Sequence, residues 1–211
     1  MSEHPVTLTD RIRKLTGGFM NALGAWLYRL GIHPDFITVL GLVVVLVAAV
    51  FIGNGDLQIG GLILLAGLPL DAVDGAVARA MQRKDRFGAM LDSSLDRYAD
   101  GLIFAALSYY FAVQDNMTLM VVAQAALLGS FMVSYARARA EGLGVDVKVG
   151  WFTRMERVIV ILALLLVPQL LEIGVWVLAI GTNLTGMQRI WFVYKMLVQA
   201  DTQEKEDKEV N

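Results

Sequence analysis

The strongest constraint on this chain is a series of apolar runs longer than the interior of a small soluble domain needs. The first opens at Pro34, covers residues 35 to about 52 and carries no charge after Asp35. In hydrocarbon a run of that length must satisfy its backbone hydrogen bonds within itself, so it folds as a helix, with the proline near the first turn where a missing N–H costs little. Further spans are predicted over residues 57–79, 88–113, 117–136, about 154 or 158 to 167, and 173–198, punctuated by turns at Asn54, Gly55 and Asp56, at residues 114–118 and at Pro168. Pro69 is expected to bend the second of them.

Residues 1–33 mix Arg11, Arg13, Lys14 and Arg29 with Leu15, Phe19, Leu23, Trp26 and Leu27. That pattern predicts an amphipathic stretch lying at a membrane surface, its basic residues toward lipid headgroups. The expected fold is therefore an all-α integral membrane protein, with six transmembrane helices preceded by an N-terminal amphipathic juxtamembrane helix. In domain terms, residues 1–33 are juxtamembrane, 34–198 form one membrane domain, and the charged tail 199–211 is expected to be solvated and largely disordered. A hydrophobic fraction of 56% and a mean hydropathy of +0.58 agree with that class. A formal net charge of −2 indicates no bulk attraction to nucleic acid, and zero cysteines exclude disulfides and thiolate metal sites.

Six spans place both termini on one side, and all eighteen Lys and Arg residues fall there, whereas the opposite turns around Asp56, Asp115 and Glu172 hold none. By the positive-inside rule that side is cytoplasmic. Trp26, Trp151, Trp191 and Tyr194 fall near the expected interfaces as anchors.

Within the spans lies a concentration of acid. Asp71 and Asp74 are spaced i, i+3, and Asp92 and Asp96 i, i+4, so each pair projects from one face of a helix. Asp71 follows fourteen mostly apolar residues, about 21 Å of helix. The two pairs reach similar depth and can converge. Two like charges roughly 5 Å apart repel by about 3 kcal/mol at an effective dielectric near 20, so a converging set either protonates or holds cations. Oxygen-only ligands favour a hard divalent ion such as Mg²⁺ or Mn²⁺. Gly75 and Ala78 keep the adjoining face small, and Arg79 sets a permanent cation beside it, an arrangement suited to a metal-bridged diphosphate. The competing reading, ion pairing with Arg79, Arg83 and Arg97, accounts for one acid pair more easily than for two.

Asp71, Asp74, Gly75, Ala78, Arg79, Gly88, Asp92 and Asp96 match D-x2-D-G-x2-A-R-x8-G-x3-D-x3-D, which resembles the signature of the CDP-alcohol phosphotransferases. The resemblance implies a membrane enzyme that moves a phosphatidyl group from CDP-diacylglycerol to an alcohol and releases CMP. It implies that Asp71, Asp74, Asp92 and Asp96 hold two divalent cations, with Asp96 also the general base. It places the CDP-lipid donor near Asp35, Phe36, Ile37, Thr38, Gly75, Arg79 and Asp85, and it implies a homodimer, for which Gly129, Ser130 and Ser134 offer a small-residue packing stripe.

Three basic residues remain for the acceptor. Arg137 and Arg157 stand near facing ends of the fourth and fifth spans, and Arg189 lies inside the sixth, where an arginine needs a partner or a polar cavity. Together they suit a phosphate; snorkelling and pairing with Glu141 or Glu156 is the plainer alternative. The run Ser134 to Glu141, then Glu156 and Arg157, then Gln188 and Arg189 is similar to the bacterial phosphatidylinositol phosphate synthases. That likeness implies inositol phosphate as acceptor. Glycerol 3-phosphate is the alternative within the class, and a cation transporter the alternative outside it.

Overall fold

The computed structural model describes residues 8–82 and 86–210. Helices follow one another in the order α1 (Leu8–Arg29), α2 (Pro34–Gly53), α3 (Leu57–Ala80), α4 (Arg86–Val113), α5 (Met117–Glu141), α6 (Arg154–Leu166) and α7 (Leu171–Val210), with a short 3₁₀ turn, Pro168–Leu170, before the last. Strands are absent among the described residues.

Four segments are long and apolar enough to cross a membrane: Pro34–Gly53, Leu57–Ala80, Met117–Glu141 and Pro168–Gln199. In α2 the mean hydropathy reaches 3.0, and Val39, Leu40, Val43, Leu46, Val47 and Val50 stay exposed along it, a surface for lipid tails rather than water. The other two expected spans differ for separate physical reasons. Helix α4 has the length, 28 residues, but Asp92, Asp96, Arg97 and Asp100 fall within its first fifteen residues. Helix α6 has only 13 residues, about 20 Å at the α-helical rise, against a hydrocarbon core near 30 Å.

Contacts divide the chain into two compact units, Met1–Val47 with Ile63–Ala99, and Ala48–Leu62 with Asp100–Asn211. In the first unit, Ile37, Val73 and Val77 form a buried cluster on which Met20, Leu23, Leu27, Ile32, Leu70 and Met81 pack. The chain leaves α1 through Gly31 at φ +76°, a left-handed residue that lets Ile32 N–H reach back to the Leu27 carbonyl at 3.2 Å. Gly24 brings α1 against α3, since a Cβ there would stand 2.6 Å from the carbonyl carbon of Ala76. Helix α3 continues through Pro69. The amphipathic expectation for residues 1–17 concerns side chains outside the described ones.

In the second unit α5 lies along α7. A Cβ on Gly129 would come 2.2 Å from Thr182 Oγ1 and 2.8 Å from the Asn183 backbone nitrogen, so only glycine permits this approach. Asn183 Nδ2 then donates to the Ala125 carbonyl at 2.9 Å and to that of Ala179 at 2.8 Å, tying the helices across the interface. Gly129 and Ser130, expected to serve pairing between chains, thus meet partners within this one. Asn116 starts α5 by accepting the Leu119 N–H at 3.1 Å. The loop 142–153 folds onto α7 with Val147 fully buried and the Phe152 N–H donating to Thr185 Oγ1 at 3.1 Å.

The tail differs from expectation. Helix α7 runs on as helix to Val210, where a solvated, disordered end was predicted from residue 199. Glutamate, lysine and glutamine are strong helix formers, and they extend a helix already nucleated by the preceding span.

Candidate functional site

The first unit holds a cavity of about 250 Å³ whose lining includes Asp35, Thr38, Asp74, Gly75, Ala78, Gly88 and Asp92. Helix starts and small residues shape it. Asp35 and Thr38 come from the first turns of α2, Asp74 to Ala78 from the last two turns of α3, and Gly88 with Asp92 from the first turns of α4. Glycine or alanine at 75, 78 and 88 leaves the volume that larger side chains would fill.

Asp74 is buried at 9% exposure and accepts a hydrogen bond of 2.9 Å from Thr38 Oγ1. The same hydroxyl lies 3.1 Å from the Pro34 carbonyl, so its single proton is shared between the helix backbone and the carboxylate. Asp92 and Asp71 stand close enough to Asp74 for their charges to act on it. Acids from both helical pairs thus lie near one another, Asp71 and Asp74 from α3 and Asp92 from α4. Asp71 is exposed, and Asp92 and Asp96 are partly so. Asp96 Oδ2 sits 3.8 Å from Arg97 Nη1, while Arg97 also donates to the Ser93 carbonyl one turn back.

The other expected donor residues are distributed as follows. Arg79 is exposed, with Nη2 3.5 Å from Asn21 Oδ1 of α1. A Cβ on Gly75 would stand 3.4 Å from Arg79 Nη1, so the glycine keeps the approach to that guanidinium clear. Phe36 is exposed at 64%, whereas Ile37 at 5% belongs to the buried cluster with Val73 and Val77. Ile37 is absent from the cavity's lining and packs in the buried cluster instead. Asp85 lies outside the described residues.

Among the described residues, no three acids draw together tightly enough to ligate one ion as they stand. The donor chemistry nonetheless suits a hard divalent cation, because Asp71, Asp74 and Asp92 offer only carboxylate oxygens around a cavity that Asp74 and Asp92 line.

The second unit holds the basic cluster. Arg137 and Arg157 both act electrostatically on Arg189, so the three guanidiniums predicted together are neighbours. Their surroundings differ. Arg137 is exposed and pairs with Glu141 one turn on, Nε to Oε1 2.8 Å. Arg189, at 4% exposure, donates from Nε to the Val149 carbonyl at 2.9 Å and from Nη1 to that of Val133 at 2.7 Å. Arg157, at 1% exposure, donates from Nη2 to Asp100 Oδ2 at 2.7 Å. The sequence argument missed Asp100 and Ser130, whose Oγ donates to the same Oδ2 at 2.7 Å. A signal was present, since Asp100 continues the i, i+4 series of Asp92 and Asp96 for one more turn. Glu156 takes no part here and accepts a hydrogen bond from the Thr153 hydroxyl at the start of α6.

Comparison with known proteins adds a family to this geometry. A family model described as CDP-alcohol phosphatidyltransferase matches residues 31–187. A phosphatidylinositol phosphate synthase of Streptomyces avermitilis is 35% identical over 196 residues, covering 86% of this chain and 80% of the relative. An archaetidylinositol phosphate synthase of Methanothermobacter thermautotrophicus is 37% identical over 174 residues, covering 80% and 87%. Among solved structures, the phosphatidylinositol phosphate synthase of Mycobacterium tuberculosis with CDP-DAG bound superposes with a TM-score of 0.79 at 31% identity, over 83% of this chain and 93% of that one. The same enzyme has been solved in complex with manganese and citrate.

Proposed function

This chain is an enzyme that belongs to the CDP-alcohol phosphatidyltransferase family, and from that premise we propose that it transfers the phosphatidyl group of CDP-diacylglycerol to inositol phosphate, giving phosphatidylinositol phosphate and CMP. The observation that carries the reading is the cavity of the first unit, which gathers Asp74, Asp92, Thr38 and Gly75 from three helices. Relatives named for inositol phosphate products support the acceptor, and family membership sets cation transport aside.

The acceptor hydroxyl attacks the diacylglycerol-bearing phosphorus. A new oxygen–phosphorus bond forms, the phosphorus–oxygen bond to CMP breaks, and the hydroxyl proton passes to the Asp96 carboxylate. Asp71, Asp74, Asp92 and Asp96 would hold the divalent cations, two in this proposal and Mg²⁺ or Mn²⁺ by their oxygen-only donor set. When bound, such ions neutralise charge on the diphosphate and steady the leaving group. Thr38 fixes one carboxylate rotamer at Asp74, and Gly75 lets the diphosphate approach Arg79, whose planar fork suits two of its oxygens. Arg137, Arg157 and Arg189 take the acceptor's phosphate.

We further propose that α4 and α6 complete six membrane crossings, with α1 at the surface and both termini and the site cytoplasmic. The one-sided distribution of Lys and Arg supports this orientation. The polar half of α4 then borders the acid-lined cavity instead of lipid. The homodimer is carried forward on family likeness alone.

Release of CMP by the purified protein with CDP-diacylglycerol tests the reading, comparing inositol phosphate, glycerol 3-phosphate and free inositol with Mg²⁺ or Mn²⁺ present and after chelation. Metal-dependent turnover with inositol phosphate is the expected result. Preference for glycerol 3-phosphate overturns the acceptor and keeps the chemistry; absence of CMP release with every acceptor tried, together with no binding of CDP-diacylglycerol, overturns the transfer itself.

A further inference from the structure

A guanidinium stays charged at any physiological pH, so burying one is unfavourable unless its charge and its N–H groups find partners. The two buried arginines of the second unit solve this differently. Arg189 spends Nε and Nη1 on neutral backbone carbonyls and keeps its full charge. Arg157, in α6, meets a carboxylate. Asp100 of α4, itself 5% exposed, receives Arg157 Nη2 on Oδ2 at 2.7 Å, and Ser130 of α5, fully buried, donates to the same oxygen at 2.7 Å. Three helices are joined at one carboxylate oxygen. On the far side Arg157 Nη1 lies 3.4 Å from the Phe152 carbonyl, while Nε, completely buried, has no hydrogen-bond partner among the described residues.

That unmet donor distinguishes the arrangement from a structural ion pair. Buried N–H groups are nearly always satisfied, so one left over calls for an explanation, and the arrival of an acceptor atom supplies one. This Nε belongs to a guanidinium already held by Nη2 and near that of Arg189, which Arg137 also approaches. Tetrahedral oxyanions such as a phosphate monoester are the ligand chemistry that uses several guanidiniums at once.

We propose that Asp100, supported by Ser130, is a positioning residue for the acceptor: it anchors Nη2 of Arg157 so that the rest of that guanidinium is presented to the acceptor's phosphate. This rests on the reading above that the three arginines bind that phosphate. Asp100 itself does not touch substrate. By offsetting one of three neighbouring positive charges, it also lets the cluster assemble before the anion arrives.

The test separates acceptor and donor kinetics. Asp100→Ala should raise KM for inositol phosphate roughly tenfold or more, the scale of a lost charged hydrogen bond, with kcat and KM for CDP-diacylglycerol changed by less than about threefold. Asp100→Asn keeps an oxygen able to accept both bonds and should recover most of that loss, a rescue that a simple change of charge would not give. Ser130→Ala removes one of the two bonds, keeps the ion pair, and should raise the acceptor KM a few-fold. It serves as the deciding variant if Asp100→Ala does not fold. An unchanged acceptor KM in Ser130→Ala, or acceptor and donor KM rising together in Asp100→Ala, overturns the proposal and leaves a structural latch. If the wild-type enzyme instead uses only unphosphorylated inositol, the acceptor reading fails and takes this role with it. With a phosphorylated acceptor in use, failure of the variants removes the positioning role alone.

Discussion

The acids of the first unit and the arginines of the second meet one problem, charge within a largely apolar fold, in opposite ways. Asp74 and Asp92 line a cavity of about 250 Å³, and Asp71, one helical turn before Asp74, is exposed. These carboxylates have access to ions and ligands. Arg157 and Arg189 are 1% and 4% exposed and are bound to Asp100 and to backbone carbonyls. The difference follows from chemistry: a carboxylate near an open recess gains its counter-charge from a mobile cation, whereas a buried guanidinium takes its partners from the protein during folding. One region is built to receive, the other is already largely assembled. Substitutions at the acids should act on turnover, whereas those at the buried arginines should cost stability as well as acceptor binding.

The sharpest break of that contrast is Asp96→Asn. An amide cannot take the hydroxyl proton and is a poorer ligand for a hard cation, so kcat should fall by roughly a thousandfold or more. Thermal unfolding in detergent should stay close to wild type, because an amide of the same size can keep the contact that Asp96 Oδ2 makes at 3.8 Å from Arg97 Nη1. Turnover within tenfold of wild type would remove Asp96 as the base.

Arg157→Ala should reverse the pattern. It strands the Asp100 carboxylate at 5% exposure, and removing one partner of a buried pair costs about 3–5 kcal/mol. Chemical denaturation should show a loss of that order, with activity falling both because folded enzyme is scarce and because the acceptor's phosphate loses one of its guanidiniums. A stable Arg157→Ala protein would mean that the second unit tolerates an open charge as the first does, and the distinction would collapse.

Gly129→Ala probes the packing on which the basic cluster rests. Its new Cβ falls 2.2 Å from Thr182 Oγ1 and 2.8 Å from a backbone nitrogen, so α5 and α7 must part, at about 1–3 kcal/mol for such overpacking. Gly24→Ala in the first unit meets Ala76 backbone at 2.6 Å and should loosen α1 from α3 with a comparable loss. The readouts differ: Gly24→Ala should raise KM for CDP-diacylglycerol through the neighbouring Asn21 and Arg79, and Gly129→Ala should raise that for the acceptor. Equal effects on both substrates from either variant would show that the units do not divide the work.

What the sequence made legible divides along the same line. The acid site could be read because its residues lie on two helices at i, i+3 and i, i+4 spacings, with Gly75 and Ala78 beside them, and helical periodicity alone brings Asp71 next to Asp74. The partners of Arg157 could not be read that way. Asp100, Ser130 and Arg157 sit on three helices separated by dozens of residues, and no local pattern announces which carboxylate a buried arginine will find. The i, i+4 step from Asp96 to Asp100 was a usable hint that went unused. Helix counting by apolar length worked for α2, α3, α5 and α7, and it was least decisive where function intrudes, in the acid-bearing half of α4 and in the short α6 behind Arg157. In the tail, composition carries no signal for where α7 stops, and the helix runs on to Val210.

The smallest expected effect tests the one arginine that belongs to neither extreme. Arg137 is in the second unit, yet its side chain is 54% exposed and its partner Glu141 51% exposed. An exposed i, i+4 pair contributes about 0.2–1 kcal/mol, far less than a phosphate dianion gains from a guanidinium, so Glu141 holds Arg137 only until a stronger anion displaces it. Glu141→Gln weakens that competitor while leaving Arg137 in place. KM for the phosphorylated acceptor should therefore fall about two- to fivefold, the factor equivalent to that pairing energy, with kcat and stability unchanged. The gain should fade at high salt, where screening has already weakened the surface pair. A rise in acceptor KM would mean instead that Glu141 orients Arg137 toward its ligand, making this exposed pair a counterpart of the buried one between Asp100 and Arg157.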